Sequence, residues 1–139
     1  MSVQFFFLSK GISLTKRKEL KSFINFIFKN EKRQLTSLTY IFCSDDYLLK
    51  INQDFLNHNY YTDIITFNLS GTKEIMGEVY VSVERVKENA QNIGVSSTNE
   101  LFRVIFHGAL HLCGYKDKIN LEIKEMRAKE DFYLNLFFK

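Results

Sequence analysis

The sequence predicts an α+β fold in which a small mixed sheet of four strands is packed with about five helices, and it assigns residues 1–139 to a single domain. Three observations support this prediction. The apolar pattern alternates between strand-like and helical periods in the order β-α-β-α-β-β-α-α-α. No linker or internal repeat interrupts that order. The chain has 139 residues, of which 45% are hydrophobic, and this is enough for one ordinary core.

The first half of the chain is predicted to contain two strand–helix units. Residues 3–8 form the first strand, and an amphipathic helix follows in SLTKRKELKSFINFIFKNEK, with Ser13 or Thr15 as its N-cap. A second strand is predicted in SLTYIFCS, which is rich in β-branched and aromatic residues. A second helix is predicted in DDYLLKINQDFL, because acidic residues favour a helix N-terminus.

The second half is predicted to contain a hairpin and three helices. A loop, NHNYYTD, leads into the strands IITFNL and EVYVSV, which a turn containing Gly71 and Gly77 would join. Two helices cover VERVKENAQNIG and STNELFRVIFHGALHLCG and end at Gly94 and Gly114, since glycine commonly ends helices. The last helix covers INLEIKEMRAKEDFYLNLFF.

Composition excludes several classes of protein. The formal net charge is +3, from 19 Lys and Arg against 16 Asp and Glu, so the surface as a whole is not that of a polyanion binder. The two cysteines are too few for a secreted disulfide framework, which favours a cytoplasmic location. No segment approaches the roughly 20 apolar residues needed to cross a bilayer, so no membrane partner is expected.

The helix of the HGALHLCG segment carries two histidines. Ser97-Thr-Asn-Glu100 has the form of a capping box, which predicts where this helix begins. His107 and His111 lie beside its apolar stripe, and residues four apart on a helix have Cβ atoms roughly 5–6 Å apart. Two imidazoles at this spacing can converge on one metal ion. The stripe consists of Leu101, Val104, Ile105, Gly108 and Leu112.

A third ligand is available shortly after the helix. Gly114 can reverse the chain in a left-handed conformation, and Asp117 comes three residues later. The sequence therefore predicts a metal site of His107, His111 and Asp117 at the C-terminal end of a helix. Three protein ligands leave a position for water, and zinc lowers the pKa of such a water to about 7. This is the equipment of a hydrolase.

Other interpretations of the same residues stay open. Two histidines four apart also occur by chance on amphipathic helices, and Asp117 could instead cap the last helix or be a solvated loop residue. A metal bound here could also be purely structural, in an RNA- or ribosome-associated module. A metallopeptidase-like hydrolase is disfavoured, because Gly108 stands where the H-E-x-x-H motif has its glutamate.

The motifs resemble those of the YbeY endoribonucleases. The family signature H-G-x-L-H-L-x-G-Y-D-H matches residues 107–117 at every fixed position except the last two. TDIITF resembles the family strand T-D-V-L-S-F, GEVYVSVERVKENA resembles its G-D-I-x-I-S segment and following helix, and EMRAKED resembles its closing E-M-x-x-x-E helix. The resemblance runs from about Ile51 to Glu130.

The resemblance implies a single-strand-specific, metal-dependent endoribonuclease that acts in ribosomal RNA maturation and ribosome quality control. Its implied partners are single-stranded RNA and ribosomal RNA or the small ribosomal subunit. Its implied cofactor is one divalent metal ion, with Zn²⁺ expected, and no organic cofactor. The sequence assigns no general acid or base.

The chain departs from the family pattern at three positions. Asp117 replaces the third histidine ligand, Lys116 replaces an aspartate, and Leu56 stands where the family has an arginine. A carboxylate is an accepted zinc ligand, but it also suits iron, nickel or manganese. His58, in the same loop as Leu56, is interpreted as either a solvated residue or a contact to phosphate or base.

Three neighbouring residues are interpreted as structural. Arg103 lies one turn before His107, where it could meet a phosphate, but an ion pair with Glu100 on the helix surface is favoured. Cys113 is predicted to be a small core residue and not a ligand. Asp63 is predicted to organise the turn before its strand.

Overall fold

The computed structural model describes residues 2–70 and 74–139 and contains the predicted order of elements. The strands are β1 (Ser2–Phe7), β2 (Gln34–Cys43), β3 (Ile64–Asn68) and β4 (Glu74–Ser82). The helices are α1 (Arg17–Asn30), α2 (Asp45–Leu56), α3 (Val83–Ile93), α4 (Ser97–Leu112) and α5 (Asn120–Phe137). The prediction of an α+β fold with five helices is confirmed for the described residues.

The four strands form one mixed sheet in the order β1-β2-β4-β3. β1 pairs with β2 and β2 pairs with β4 in parallel, whereas β3 and β4 form the predicted antiparallel pair. The parallel pairs are connected through α1 and α2, as parallel strands require a crossover. The predicted four-stranded mixed sheet is confirmed.

Helices pack on both faces of this sheet. Val79 and Val81 of β4 belong to the main core, which includes residues of α1, α3, α4 and α5. Tyr80 packs instead against a second, smaller cluster of β2, α2 and β3 residues. Successive residues of a strand point to opposite faces, so α2 lies on the face opposite the main core.

The helix α4 is the most buried part of the main core. Most of its residues are buried, including the whole predicted apolar stripe. The Tyr40 hydroxyl of β2 donates a hydrogen bond to the Ile105 carbonyl at 2.7 Å. A Cβ at Gly108 would lie 2.8 Å from Cγ1 of Val79, so the missing side chain lets α4 approach β4 closely. This contact fixes the position of the helix that carries the histidines.

Two predicted helix caps are wrong. α1 begins at Arg17, and its N-cap is Lys16, which has a left-handed backbone and makes no side-chain hydrogen bond to the helix. Ser13 and Thr15 both precede that position, so neither is the N-cap. The N-cap of α4 is Ser96, whose Oγ accepts from the Asn99 N–H at 3.0 Å, and not Ser97. The capping box fails because Glu100 turns into the core, where it pairs with an arginine.

The predicted glycine positions have mixed outcomes. Gly94 and Gly114 adopt left-handed conformations after their helices, with φ of 85° and 108°, as expected. Gly77 does not belong to the hairpin turn but lies within β4, where an added Cβ would come 2.7 Å from Cδ1 of Leu112. Gly71 lies outside the described residues. Gly77 therefore serves the close approach of α4 and not a turn.

Within 2–70 and 74–139, no helix combines the length and apolar character that a bilayer crossing requires.

Candidate metal centre

Two imidazoles project from the last two turns of α4. The rings of His107 and His111 have centroids 4.4 Å apart and are nearly perpendicular. Both side chains are mostly buried, with 14% and 23% of their surface exposed. Their i, i+4 spacing places them on one helix face, as the sequence predicted.

Asp117 returns to the two histidines after the chain reverses at Gly114. The Gly114 N–H donates to the His111 carbonyl at 3.0 Å, and the Tyr115 N–H donates to the Leu110 carbonyl at 3.1 Å, which ends the helix. Oδ2 of Asp117 then lies 3.2 Å from Nε2 of His107 and 3.3 Å from Nε2 of His111. Asp117 does not cap α5, because the N-cap of that helix is Ile119.

The three side chains together form a group that could hold a metal ion. One ligand atom from each of His107, His111 and Asp117 lies within 4.8 Å of the other two. Two nitrogens and one oxygen are a donor set suited to zinc and to several neighbouring transition metals. The structure thus brings together all three residues that the sequence singled out.

Both imidazoles are oriented by hydrogen bonds at their other nitrogen. Nδ1 of His111 lies 2.9 Å from the Tyr115 carbonyl oxygen, which can only accept, so Nδ1 carries a proton and, in the neutral ring, Nε2 has the lone pair. Nδ1 of His107 lies 2.5 Å from Oε2 of Glu130. Metal-binding histidines are usually held in this way, by a carbonyl or a carboxylate behind the ring.

Glu130 is the centre of a buried ion-pair network behind His107. Its side chain is 1% exposed, and Arg103 contacts its Oε1 through Nη1 at 2.9 Å. Burial alone would raise the pKa of Glu130, but the hydrogen bond and charge of His107, together with Arg103, hold that pKa below its usual value. Glu130 is therefore a carboxylate, able to accept from His107 Nδ1.

Arg103 is fully engaged by carboxylates. Its Nε lies 2.7 Å and its Nη2 2.5 Å from the two oxygens of Glu100, which is also 1% exposed. Burial opposes the charge of Arg103, but Glu100 and Glu130 outweigh it and raise the pKa of the guanidinium. The predicted pair with Glu100 is confirmed. It lies in the interior and not on the helix surface, because α5 covers it.

A second support reaches His111 through Tyr115. The Tyr115 hydroxyl donates to Oε1 of Glu31 at 2.6 Å, just after the end of α1. Oε2 of the same carboxylate accepts from the Tyr133 hydroxyl and, at 3.2 Å, from Nζ of Lys129. Burial would raise the pKa of Glu31, but these three donors hold it below its usual value. The residue whose carbonyl orients His111 is thus itself anchored at its side chain.

The environment of His111 disfavours its protonated form. Burial lowers the pKa of His111, the neighbouring His107 lowers it further, and Asp117 only partly offsets both. A neutral imidazole is the form that binds a metal.

The three side chains open into a cleft of about 660 Å³. The cleft is also lined by the loop of residues 57–63, by β3, and by the basic residues Lys118 and Arg127. Leu56, the last residue of α2, and His58 of the loop both line it. Asp63 lines it too; its backbone carbonyl accepts from the Ser82 N–H at 2.9 Å, and its Oδ2 accepts from Nδ2 of Asn89 on α3 at 3.4 Å, so its predicted role in the turn stays a prediction.

Glu130 and Glu31 support the centre but were not predicted to do so from the sequence. Glu130 had a usable signal, because it shares with Met126 and Tyr133 the helical spacing of the buried face of α5, where a carboxylate needs a partner. Glu31 gave no such signal. Cys113 is buried as predicted, and burial raises the pKa of its thiol to about 12.

The fold and this site define a small α+β protein with a His-His-Asp group beside an open cleft, in which a buried carboxylate orients one histidine and a backbone carbonyl the other. The family model described as "Endoribonuclease YbeY" matches residues 9–137. The chain therefore belongs to the endoribonuclease YbeY family. The family predicted from the motifs is confirmed, and with it the class of enzyme, a nuclease among the hydrolases.

Relatives agree with this assignment, and a solved structure has a similar fold. The chain is 49% identical over 136 residues to "Endoribonuclease YbeY" of Cytophaga hutchinsonii, covering 97% of this chain and 95% of that protein. It is 47% identical over 123 residues to the protein of the same name from Flavobacterium psychrophilum, covering 86% and 88%. The solution structure of TM1509 from Thermotoga maritima matches with a TM-score of 0.69 and 29% identity, covering 99% of this chain and 89% of that one.

Proposed function

We propose that this chain is a metal-dependent endoribonuclease that cleaves single-stranded RNA in ribosomal RNA maturation and ribosome quality control. Residues 1–139 act as one cytoplasmic domain, and ribosomal RNA or the small ribosomal subunit is the partner. His107, His111 and Asp117 hold one divalent metal ion, with Zn²⁺ expected. The convergence of Nε2, Nε2 and Oδ2 at the mouth of the cleft is the observation that supports the proposal most.

The residues around the proposed site fit a metal ion. Both Nδ1 atoms are engaged, by Glu130 and by the Tyr115 carbonyl, so both Nε2 atoms face Asp117. Three protein ligands of this kind are typical of catalytic metal sites, which keep a position open, whereas structural zinc sites are usually closed by four. When bound, a divalent ion supplies Lewis acidity toward a phosphodiester and can lower the pKa of a bound water.

The other charged groups have separate tasks. Arg103 also lines the cleft, but its side chain is only 13% exposed and is occupied by Glu100 and Glu130, so its task is to stabilise the support of His107. Lys118 and Arg127 line the cleft. Arg127 also contacts Oε1 of Glu130 through Nη1 at 3.2 Å, but its side chain is 55% exposed, so both cationic groups can meet the phosphates of an RNA strand. The chain supplies no glutamate next to His107 that could act as the base of a zinc peptidase, since residue 108 is glycine.

The proposal is tested by metal content and RNA cleavage in matched variants. We expect about one equivalent of metal in the wild-type protein and at least tenfold weaker metal binding, with loss of cleavage, in His111→Ala and Asp117→Ala. Asp131→Ala removes an exposed carboxylate on α5 and is the control that should match the wild type. Elemental analysis gives the metal, and a labelled single-stranded RNA gives the cleavage.

Two outcomes would overturn parts of the proposal. Full metal stoichiometry and affinity in Asp117→Ala would remove that residue from the ligand set. A wild-type protein that holds its metal but leaves RNA intact would instead indicate a structural metal in an RNA-associated module. Equal cleavage in all preparations, the two ligand variants included, would indicate a contaminating nuclease.

A further inference from the structure

We propose that His58 and Tyr60 form a stacking subsite for an unpaired nucleobase of the substrate. This inference rests on the proposed function and concerns how the cleft selects RNA. The two rings stack with centroids 5.0 Å apart and planes 21° apart, and a 2.9 Å hydrogen bond joins Tyr60 Oη to His58 Nδ1. Each ring therefore covers one face of the other, and the two side chains form a single aromatic stack.

The backbone of this pair is held by one buried residue. Asn52 of α2 is 2% exposed, and its Nδ2 donates to the Tyr60 carbonyl at 2.9 Å. The Asn52 carbonyl accepts from the His58 N–H at 3.0 Å. Both members of the stack are thus tied to the same point of the core. The rings are positioned before any ligand arrives, which reduces the entropy lost on binding.

The stacked pair lines the same cleft as the candidate metal centre. His58 and Tyr60 contribute to its surface together with His107, His111 and Asp117. Tyr60 remains 56% exposed although it is packed against His58, so part of its ring is open to a ligand. Lys118 and Arg127 line the cleft as well. Aromatic faces combined with cations along one groove are the usual means of binding single-stranded nucleic acid.

The neighbouring tyrosine lacks these properties. Tyr61 is also about half exposed, but the guanidinium of Arg85 lies 5.5 Å from its ring centroid, and its hydroxyl donates to Asp46 at 3.2 Å. Tyr61 does not line the cleft. It therefore serves as a matched control, one residue away and chemically the same.

A stacking subsite selects single strands for a physical reason. The bases of a duplex are already stacked on one another, whereas an unpaired base has a free face that an aromatic side chain can cover. Loss of one such contact weakens binding by about 5- to 150-fold. The subsite would thus give this chain a preference for unpaired RNA.

The test compares binding and cleavage in Tyr60→Ala, Tyr60→Phe and Tyr61→Ala. Two probes are used for binding. The first is a single-stranded 2′-O-methyl oligonucleotide that carries 2-aminopurine. The second, which represents the duplex, is a hairpin with the same base composition. We expect at least fivefold weaker binding of the single strand in Tyr60→Ala, with little change for the hairpin. Tyr60→Phe keeps the ring and should stay within about twofold of wild type, as should Tyr61→Ala.

A second measurement separates stacking from general damage to the loop. Replacing one base of the probe with an abasic site should weaken binding by the wild-type protein at one position, and the same replacement should have no effect in Tyr60→Ala. In cleavage assays, Tyr60→Ala should raise KM more than it lowers kcat, and its metal content should equal that of the wild type.

The failure of this inference differs from failure of the proposed function. Unchanged binding and unchanged single-strand preference in Tyr60→Ala, in a protein that cleaves RNA, would overturn the stacking subsite alone. Equal losses in Tyr60→Ala and Tyr61→Ala would also overturn it. If the wild-type protein neither cleaves RNA nor binds the probe, both proposals are wrong. Base-dependent binding without cleavage would retain the subsite and reject the nuclease.

Discussion

The cleft is lined by two regions that are stabilised in different ways. The helical side is formed by α4, α5 and the residues between them. There His107 lies between Asp117 and the buried Glu130, whose carboxylate is paired with two arginines. The loop side, residues 57–63, is largely exposed and is tied to the core mainly through Asn52. Ligand geometry on the helical side depends on buried ion pairs, whereas the loop side needs only its backbone anchors at Asn52 to present its rings to an RNA strand. The two sides should therefore respond differently to substitution.

The largest expected effect is on the helical side, at Glu130. Glu130→Ala would leave Arg103 without one of its two buried partners and His107 without its acceptor. We expect the free energy of unfolding to fall by about 3–5 kcal/mol and metal affinity to fall by about 10- to 100-fold. Urea denaturation and metal titration measure these two quantities.

Glu130→Gln provides the control for this prediction. The amide keeps the size of the side chain and one acceptor oxygen, so its effect on stability should be smaller than that of alanine. If Glu130→Ala were as stable as the wild type, the helical side would not depend on its ion pairs, and the contrast between the two sides would disappear.

A single added methyl group on the helical side should also be destabilising. Gly108→Ala places a Cβ 2.8 Å from Cγ1 of Val79 and 3.0 Å from Cδ1 of Ile64. In an open helix position this change would stabilise the chain by up to about 1 kcal/mol, but here we expect a net loss of about 1–3 kcal/mol from overpacking. Thermal unfolding of Gly108→Ala measures this loss, and Gln91→Ala, at an exposed site on α3, is the control. A higher melting temperature of Gly108→Ala than of the wild type would contradict close packing of α4 on β4.

The support behind Tyr115 should give a smaller effect that depends on pH. Because folding lowers the pKa of Glu31, its carboxylate stabilises the fold above the pKa of the unfolded chain, and this contribution is lost as the pH falls toward the lower folded pKa. Glu31→Gln should cost about 1 kcal/mol at pH 7, and the difference should shrink below about pH 4.

Urea unfolding of Glu31→Gln and wild type across this pH range tests the prediction. Tyr115→Phe removes the hydroxyl that donates to Glu31 and keeps the carbonyl that accepts from His111, so it should show a weaker version of the same loss. A stability difference that grows as the pH falls would have the opposite sign and would exclude the proposed role of Glu31.

The smallest effect is expected on the loop side. Tyr60→Ala removes an exposed ring whose backbone anchor to Asn52 remains, so the free energy of unfolding should change by less than about 0.5 kcal/mol. Thermal melts measure it. A loss comparable to that of Gly108→Ala would mean that the loop is part of the rigid frame, and the two sides would no longer differ.

The sequence predicted the features of the fold that depend on local pattern. Strand alternation, helical periodicity and the glycines after α3 and α4 gave the element order, the antiparallel pair and two helix ends. It failed where distant contacts decide. Glu100 has the spacing of a capping residue, and its pair with Arg103 was predicted, but Glu130 of the distant α5 joins that pair and Glu100 lies in the interior instead of capping the helix. Gly77 is a residue type common in turns, but it lies inside a strand, where Leu112 packs against it so closely that there is no room for a side chain.

The candidate site divides in the same way. His107, His111 and Asp117 are close in sequence, so helix geometry and one hinge glycine were enough to predict that they meet. The orientation of the two imidazoles depends on Glu130 and Glu31, which come from α5 and from the end of α1. Their positions follow from the packing of α1 and α5 against α4, and no short motif specifies such packing.

The order of residues in the cleft has a consequence for folding. All three proposed ligands and Glu130 lie between residues 107 and 130, on two consecutive helices and their connection. Closing a short loop costs less entropy than closing a long one, so this segment can assemble from contacts near in sequence, whereas bringing in residues 57–63 requires the sheet. Hydrogen exchange during refolding should therefore protect the α4–α5 pair before the loop that completes the cleft.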